Sequence, residues 1–361
     1  MAGPAHALAG SLVAGRRGRP VTGVRQELVP LADRERWERE LAAVPHAFAH
    51  TWGSCRAMQL TTGWPTSLYV WQDGPSRAVC AVAERGEAGR VDVVTPYGFG
   101  GFTGVGVGPA LLDSWVRFAA DQGWVCGYVG LNPELAPDVV RSSPDHAEHN
   151  DVYVLELDRG LDALHAALST NRRRQLRAFA AAGKPVVEDQ DRLAGYFLAH
   201  VDAFLEASGA TAAYAFRPET WTALLELDDT FLVGVDGADG DPVAACLFAT
   251  TPHYAEYLFG ISGPDGRHYS APLIWAAAAR LAERGVPRLN LGGGVRRGDG
   301  IAEFKERFGA TRLPLGALKQ VYRPAEYAAL AREVGADPDD RAGYFPAYRR
   351  PGARTPSGPR T

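Results

Sequence analysis

The 361-residue chain has few cysteines and no long apolar run, and its charges nearly balance. Its four cysteines form no CxxC pair, so the usual spacing of a zinc site is missing. Cys80, Cys126 and Cys246 lie inside apolar runs, where a free thiol packs as a small hydrophobic side chain. We therefore expect buried free thiols and a cytoplasmic protein.

The sequence also argues against three classes of protein: membrane-spanning, secreted and DNA-binding proteins. No stretch approaches about 18 consecutive apolar residues, which argues against a membrane span. Near the start, Arg16, Arg17 and Arg19 follow the weak apolar run instead of preceding it, the wrong order for a secretory signal. The net charge of −4 offers no broad cationic surface for nucleic acid, although a local basic patch is compatible with it. We expect a monomer that binds no DNA.

The length and composition of the chain predict two globular domains between two tails. The chain is long for one domain, and 46% hydrophobic and 22% charged residues are ordinary for a soluble protein. Residues 1–25 are rich in Ala, Gly, Pro and Arg, and residues 331–361 end in a basic, Pro- and Gly-rich stretch. Both compositions are typical of disordered tails. The domains are then expected at residues 26–150 and 151–330.

The two predicted domains share a weak internal repeat. In each, two hairpin strands and a third strand precede a loop, a helix and another strand. The helices end at Gly123 and Gly285, which are 162 residues apart (123 to 285). A repeat of this length indicates a duplicated domain rather than a solenoid. The element order predicts an α/β fold, with helices on a mixed α+β sheet.

Three motifs resemble a known family in sequence and in order. They are TPYGFGG at 95–101, RRQLR at 173–177, and LNLGGG at 289–294 followed by GIAEFKERFG at 300–309. Over about residues 40–325 the chain resembles the Fem-like (FemABX-type) aminoacyltransferases. The resemblance implies two tandem GNAT-like acyltransferase domains. Asn290 departs from it, because relatives usually carry Asp there.

The first two motifs suggest substrate-binding residues. Glycines in the 95–101 loop allow positive φ and a close backbone approach, so Tyr97 and Gly98 are candidates to bind the acceptor. Arg173 and Arg177 share one helix face, and guanidinium groups suit phosphate or carboxylate. A plain loop and a solvated helix face are the competing interpretations.

The third motif and one strand suggest the chemistry. Phe304 and Phe308 should pack inward, with Lys305 at the edge of the apolar stripe. The resemblance favours Lys305 as a catalytic cation and Phe304 as a substrate contact; the alternative is surface charge. Glu256 shares a strand face with Tyr254, a further substrate-binding candidate, and could act as general base if it lines a cleft. A solvated Glu256 is the competing interpretation.

The donor is inferred from a missing loop. Residues 297–302 fit the RxxGxA pattern by which ordinary GNAT enzymes grip coenzyme A, but not at the expected place. The segment at that place, 263–272, lacks the pattern, and Pro272 has no N–H for a phosphate. His46 and His50 have the i, i+4 spacing but no HExxH motif, so no metal site is predicted.

The sequence therefore favours amide-bond formation. The resemblance implies an aminoacyl-tRNA donor, gripped at its acceptor end, and an amine acceptor on a cell-wall precursor or small metabolite. Aminolysis of an ester demands no cofactor and no metal. One alternative is a GNAT N-acyltransferase that uses acetyl-CoA or another acyl-CoA. A second is a catalytically inactive module that binds a nucleotide-linked metabolite.

Overall fold

The computed structural model describes residues 23–87, 89–209 and 214–351. Its strands are β1 (Val24–Pro30), β2 (Thr66–Asp73), β3 (Ser76–Glu87), β4 (Arg90–Val94), β5 (Thr103–Val105), β6 (Cys126–Gly130), β7 (His146–Glu156), β8 (Thr230–Asp236), β9 (Pro242–Thr250), β10 (Ala255–Ser262), β11 (Arg288–Asn290) and β12 (Thr311–Val321). Its helices are α1 (Arg34–Leu41), α2 (Trp52–Thr62), α3 (Ala110–Asp121), α4 (Asp138–Arg141), α5 (Leu161–Ala167), α6 (Thr170–Ala181), α7 (Gln190–Ala207), α8 (Pro218–Leu225), α9 (Ser270–Glu283), α10 (Gly300–Glu306) and α11 (Pro324–Glu333).

One mixed sheet of twelve strands runs through the protein. Its order is β1-β2-β3-β4-β6-β12-β7-β11-β10-β9-β8, and β5 pairs with β3. This confirms the predicted α/β class with a mixed sheet. Among the described helices, none is long and apolar enough to cross a membrane.

The predicted repeat is visible in the strand register. In the first half, β4 runs parallel to β6 with Val93 opposite Gly127. In the second half, β10 runs parallel to β11 with Ala255 opposite Leu289. Both members of the second pair lie 162 residues beyond those of the first (93 to 255, 127 to 289). The preceding helices, α3 and α9, are followed by glycines with positive φ, Gly123 and Gly285, because an αL turn ends each helix.

The two halves exchange strands. β7 follows β6 in the chain but pairs with β11, and β12 follows β11 in the chain but pairs with β6. β7 and β12 also pair with each other, which joins the halves into one sheet. The predicted domain boundary at 150/151 therefore falls inside β7 and does not separate two self-contained units.

Helices are exchanged as well. Ala57 and Met58 of α2 pack with Trp221 of α8 over the second half of the sheet. In return, Tyr327 and Leu330 of α11 pack against the first half, beside β6. The opposite face of the sheet is covered by α3 in the first half and by α9 in the second.

Residues 331–351 correct the prediction of a C-terminal tail. Phe345 and Ala347 are buried against α11, and Arg349 forms ion pairs with Asp92 and Glu87. The carboxylate of Asp92 is buried in the sheet, so it needs such a partner. At the other end, the predicted tail overlaps β1 by two residues. Residues 1–22 and 352–361 lie outside the described residues. All four cysteines are free and buried, as expected for three of them.

Candidate functional site

The site lies where two parallel strands of the second half part. Pairing between β10 and β11 consists of Ala255 with Leu289 and Glu256 with Asn290. Beyond this point β10 continues beside β9, whereas Leu291 and Gly292 follow Tyr153 of β7. We call the opening beyond Glu256 and Asn290 the β10–β11 cleft.

The floor of the β10–β11 cleft is polar, and two of its side-chain atoms have no partner among the described residues. Glu256 is 1% exposed and Asn290 is fully buried. The Asn290 side-chain oxygen accepts a hydrogen bond from the Gly292 N–H at 2.7 Å. Its amide nitrogen and Oε1 of Glu256 have no partner among the described residues. Buried groups are normally paired, so two orphans side by side are typical of a functional site.

Burial also sets the charge of the floor. Removal from water raises the pKa of Glu256 to about 8. Near neutral pH the carboxyl is therefore mostly protonated, and its ionised form is a far stronger base than an exposed glutamate. The interpretation of Glu256 as a solvated surface residue is wrong, because its strand face is covered by α2, α7 and α8.

Lys305 enters the cleft from α10. The helix begins at Asp299, whose carboxylate accepts the Ala302 N–H at 2.8 Å. The ammonium of Lys305 donates to the carbonyl of Gly293 at 2.6 Å. Burial lowers the pKa of Lys305 to about 8, and Asp299 opposes that shift. Lys305 is only 8% exposed, so the alternative of surface charge is wrong.

Arg172 holds α10 in place, although the sequence analysis did not single it out. Its guanidinium lies 4.2 Å from the ring centres of both Phe304 and Phe308. It also donates to the Phe304 carbonyl at 2.7 Å. Phe304 packs into the core of the second half, so its described contacts are structural; its predicted role in substrate binding stays a prediction. The signal in the sequence was present but ambiguous, because Arg172 is the first of three consecutive arginines.

The 95–101 loop of the first half forms the opposite wall. A Cβ on Gly292 would lie 3.2 Å from the Lys305 nitrogen and 3.8 Å from the Phe99 ring. The loop backbone is fixed by Asn132, which donates to the carbonyls of Phe99 and Gly100. The loop thus lies beside the strand ends of the other half.

His50 ties the same loop to the protein interior. Its Nε2 lies 3.0 Å from the Gly101 carbonyl and its Nδ1 accepts the Ala47 N–H at 3.2 Å. The Gly101 carbonyl assigns the ring proton to Nε2, and acceptance of the Ala47 N–H assigns an unprotonated Nδ1. Burial lowers the pKa of His50 to about 4, which keeps the ring neutral.

The glycines of the loop serve packing. Gly98 has φ +123°, and a Cβ there would lie 2.7 Å from the Ala49 Cβ. Gly101 has φ +84°, and a Cβ there would lie 2.4 Å from the Gly130 carbonyl. Positive φ was expected, but the close approach is to the protein's own chain. A role for Gly98 in substrate binding stays a prediction.

Two tyrosines take different positions. Tyr97 is 39% exposed and contacts the rings of Tyr214, Phe216 and Phe259. Tyr254 is fully enclosed beneath the floor, and burial and the neighbouring Glu134 raise the pKa of its hydroxyl. The Tyr254 hydroxyl and the Glu134 carboxyl face each other without a well-formed hydrogen bond. Tyr254 is therefore enclosed by protein, and its predicted role in substrate binding stays a prediction.

The arginine pair of α6 lies elsewhere. Arg173 donates to the carbonyl of Ala166 at 3.0 Å, and Arg177 is exposed. Among the described residues, neither side chain forms a hydrogen bond or an ion pair with Lys305 or with the 95–101 loop. The structure thus places Tyr97 near Glu256 and Lys305 beside Gly292 and Gly293, and it leaves Arg173 and Arg177 apart.

The segment at the expected coenzyme A position lies beside an acidic pocket. Residues 264–269 form a 3-10 turn before α9, and a Cβ on Gly266 would lie 2.0 Å from the Val243 carbonyl. A pocket of about 420 Å³ beside this turn is lined by three carboxylates and one lysine: Asp239, Asp241, Asp265 and Lys184. Arg297 is engaged elsewhere, in ion pairs with Glu148 and Asp151. Within the described ranges, no three His, Cys, Asp or Glu side chains converge as a metal site requires.

Comparisons with known proteins agree with this architecture. The profile of the FemAB family matches residues 232–331, which contain Glu256, Asn290 and Lys305. FemX superposes with a TM-score of 0.58 at 13% identity, over 82% of this chain and 98% of FemX. No curated protein matches the chain by sequence.

Two further solved structures share the fold. L-PGS from Bacillus licheniformis superposes with a TM-score of 0.53 at 12% identity, over 84% of this chain and 98% of L-PGS. The C-terminal domain of a putative lysylphosphatidylglycerol synthetase from Agrobacterium fabrum gives 0.52 at 16% identity, over 84% and 95%. Residues 232–331 thus match the FemAB family, and the solved structures share the fold of the whole chain, with its tandem halves joined in one sheet.

Proposed function

We propose that this protein forms amide bonds by moving an aminoacyl group from the 3′ end of an aminoacyl-tRNA to the amine of a cell-wall precursor or a small metabolite. The observation that carries the proposal is a buried carboxyl with no partner among the described residues on the cleft floor, together with a buried ammonium beside Gly292. Lys305 and Glu256 belong to adjoining parts of the β10–β11 cleft, connected through Asn290 and Gly292.

Lys305 is assigned to the developing oxyanion. When the amine attacks the ester carbonyl, negative charge collects on the carbonyl oxygen. An ammonium has three N–H donors, and Lys305 uses one on Gly293, which leaves two for that oxygen. A preorganised donor in a site closed to water contributes more to the rate than it would in solution.

Glu256 is assigned to proton transfer. The attacking amine must lose a proton as its C–N bond forms, and the ionised carboxyl of Glu256 accepts it. The C–O bond to the ribose then breaks, and the same carboxyl returns the proton to the departing 3′-hydroxyl. The products are an amide and a free tRNA end, so no oxidant, metal or cofactor enters the balance. A pKa of about 8 suits a base that works near neutral pH.

The first half is assigned to the acceptor. Tyr97 and the 95–101 loop stand beside the cleft and can orient the incoming amine. Arg173 and Arg177 are assigned to a phosphate or carboxylate on a more distant part of the acceptor, since guanidinium groups suit such anions.

The test is a donor comparison. The protein is incubated with a mixed pool of charged tRNAs or with acetyl-CoA, each with candidate amines, and products are identified by mass spectrometry. We expect aminoacylated product only from the tRNA pool, and far less of it with Lys305→Met than with the wild type. Acetylated product alone would favour the N-acyltransferase alternative. No product from either donor with any amine would favour the inactive binding module.

Coenzyme A binding gives an independent check. The three carboxylates near the 264–269 turn repel a pyrophosphate, so we expect no tight site. Calorimetry that finds a micromolar acetyl-CoA site, about −8 kcal/mol, would reverse the order of the two enzyme hypotheses.

A further inference from the structure

A cavity at the seam between the two halves lies on the same sheet face as Glu256. It has a volume of about 290 Å³, and Val154 of β7 and Thr311 of β12 line it. Val154 lies opposite Thr311 on one side and opposite Asn290 on the other, and Asn290 in turn lies opposite Glu256. Residues opposite each other in neighbouring strands share a face. The row therefore leads from this cavity, which we call the seam pocket, to the floor of the β10–β11 cleft.

Tyr254 lies between that floor and a carboxyl of the seam pocket. It comes two residues before Glu256, and side chains so spaced on a strand share a face about 6.6 Å apart. Glu256 is close enough to raise the pKa of the Tyr254 hydroxyl, after the effects of burial and of Glu134. The same hydroxyl faces the carboxyl of Glu134, which lines the seam pocket and accepts from Arg288 at 3.3 Å.

Unpartnered polar atoms are concentrated along these two rows. Nine buried side-chain atoms have no hydrogen-bond partner among the described residues, and four of them are here. They are Oε1 of Glu256, the hydroxyl of Tyr254, Oε2 of Glu134 and the amide nitrogen of Asn290. Glu256 and Tyr254 are each 1% exposed. Buried polar groups are normally paired, so four free atoms between a buried base and a cavity point to function instead of stability.

The proposed chemistry requires a way out for protons. Near neutral pH an aliphatic amine is mostly an ammonium, so ammonium and ester give amide, alcohol and one released proton. Glu256, with a pKa of about 8, is itself mostly protonated and must lose that proton before it acts as a base. While both substrates occupy the β10–β11 cleft, the proton needs another path to solvent.

We propose that Glu256 exchanges its proton with solvent in the seam pocket, through the Tyr254 hydroxyl and the Glu134 carboxyl. This inference rests on the proposed function and adds a path to it. Glu256 gives its proton to the Tyr254 oxygen while Tyr254 gives its own to ionised Glu134, which then releases a proton to water. The net change is one proton moved from Glu256 to solvent. Only O–H bonds break and form, so no redox partner enters the balance.

The charges around the path favour this direction. Burial raises the pKa of Glu134, but Tyr254 and Arg288 oppose that rise. Glu156, the next carboxyl of the seam pocket, adds to the rise, and it lies opposite Arg288 in the sheet. Burial alone raises the pKa of Glu256. The proton therefore moves from a carboxyl that burial protonates to one that a guanidinium helps to ionise.

The test follows the proton on Glu256 without any donor or acceptor. The full-length protein is mixed rapidly from about pH 6 to about pH 9.5, on either side of the Glu256 pKa. The infrared band of the protonated carboxyl, identified by its loss in Glu256→Gln, is followed in time. We expect the wild type to lose it within the mixing time, and Tyr254→Phe to lose it roughly tenfold more slowly or worse. Tyr254→Phe should fold normally, because the hydroxyl has no partner among the described residues.

A second variant separates proton transfer from a structural role. Glu134→Ala should slow the loss of the band in the same way. Imidazole, a small base that fits the seam pocket, should restore the rate as its concentration rises. Glu156→Gln is the matched control, because it removes a carboxylate that lines the same pocket but accepts from Thr311. It should behave as the wild type.

Four results would overturn the inference. They are slow loss of the band in the wild type, no band that Glu256→Gln removes, loss in folded Tyr254→Phe as fast as in the wild type, and no effect of imidazole on Glu134→Ala. If Tyr254→Phe does not fold, Glu134→Ala decides alone. Because no tRNA is present, the expected exchange without aminoacyl transfer would refute the proposed function only. Transfer with an unslowed Tyr254→Phe would refute this inference only.

Discussion

The two halves build the same strand opening and finish it differently. In the first half, the residues at the mouth are Val94 on β4 and Tyr128 on β6. The chain after β4 stays beside β6, because Thr95 binds the backbone of Tyr128 and Gly130. In the second half, the corresponding residues are Glu256 and Asn290, each with an unpartnered polar atom among the described residues.

The difference indicates that the two duplicated halves have diverged at this opening. The first opening is closed by the 95–101 loop, whose carbonyls are bound by His50 and Asn132. In the second opening, one oxygen of Glu256 and the amide nitrogen of Asn290 have no partner in the described part of the chain. The loop that closes the first opening also forms a wall of the second, because Phe99 reaches Gly292. The first opening is thus closed by its own loop, and the one that keeps unpartnered polar atoms among the described residues is the second.

Separating the two halves should have the largest effect, because each half would lose a strand that the other supplies. Fragments 23–159 and 160–351 each lack the strand that the other supplies, β12 or β7. We expect neither to unfold cooperatively when it is expressed alone, and we expect the two to associate when they are co-expressed. Circular dichroism melts and size-exclusion chromatography measure this. A stable, folded single fragment would show that the exchange is dispensable.

Removing the ammonium from the second opening should have the next largest effect. Lys305→Met should keep the fold and lower kcat by about 10²–10³, as loss of one oxyanion donor does. Lys305→Arg should restore activity only in part, because a planar guanidinium does not replace a compact ammonium. Lys184→Met, in the same half but bonded to the Asp236 carbonyl, is the control. Single-turnover rates at the wild-type level would remove Lys305 from the mechanism.

The contributions of His50, beside the first opening, and of Glu256, in the second, to stability should change with pH in opposite directions. His50 has a folded pKa near 4, below its usual 6.5, so its contribution is present above pH 6.5 and is lost as the pH falls. Glu256 has a folded pKa near 8, above its usual value, so its contribution is present at low pH and is lost as the pH rises. Between about pH 4.5 and 6.5 the two slopes oppose each other, each about 1.4 kcal/mol per pH unit.

Two variants resolve these slopes. Compared with wild type, His50→Gln should gain stability relative to its pH 6.5 value as the pH falls, and Glu256→Gln should lose it. Urea unfolding at several pH values measures both. Slopes identical to wild type in either variant would contradict the assigned protonation states.

The smallest effect is expected on α6. Arg173→Ala and Arg177→Ala should raise the KM for the acceptor several-fold and leave kcat nearly unchanged, because they would remove binding that is uniform along the reaction. Arg174→Ala is the control, since its guanidinium bonds Asn171. A fall in kcat alone would assign the pair to the chemistry or the fold.

Local patterns predicted the parts of this molecule that local physics decides. Glycines at 123 and 285 end helices because they adopt positive φ, and the spacing between them revealed the duplication. The motif around Lys305 predicted a lysine beside ring anchors, and α10 has that arrangement. The assigned roles of the site residues stay predictions.

Non-local features could not be predicted in the same way. The exchange of β7 and β12 joins strands about 160 residues apart, and no local pattern specifies a partner. The burial of residues 331–351 depends on Asp92, which the sequence places far from Arg349. Arg172 looks like its two exposed or half-exposed neighbours until α10 packs on it.

The exchanged strand β12 also has a consequence for synthesis on the ribosome. The edge of β6 ends at Gly130, but its neighbour is complete only at Val321, 191 residues later (130 to 321). At about 5–20 residues per second, the nascent first half waits roughly 10–40 s with that edge unpaired. An open strand edge is a template for pairing with other chains. The β6 edge is therefore exposed to pairing with other chains throughout this interval of synthesis.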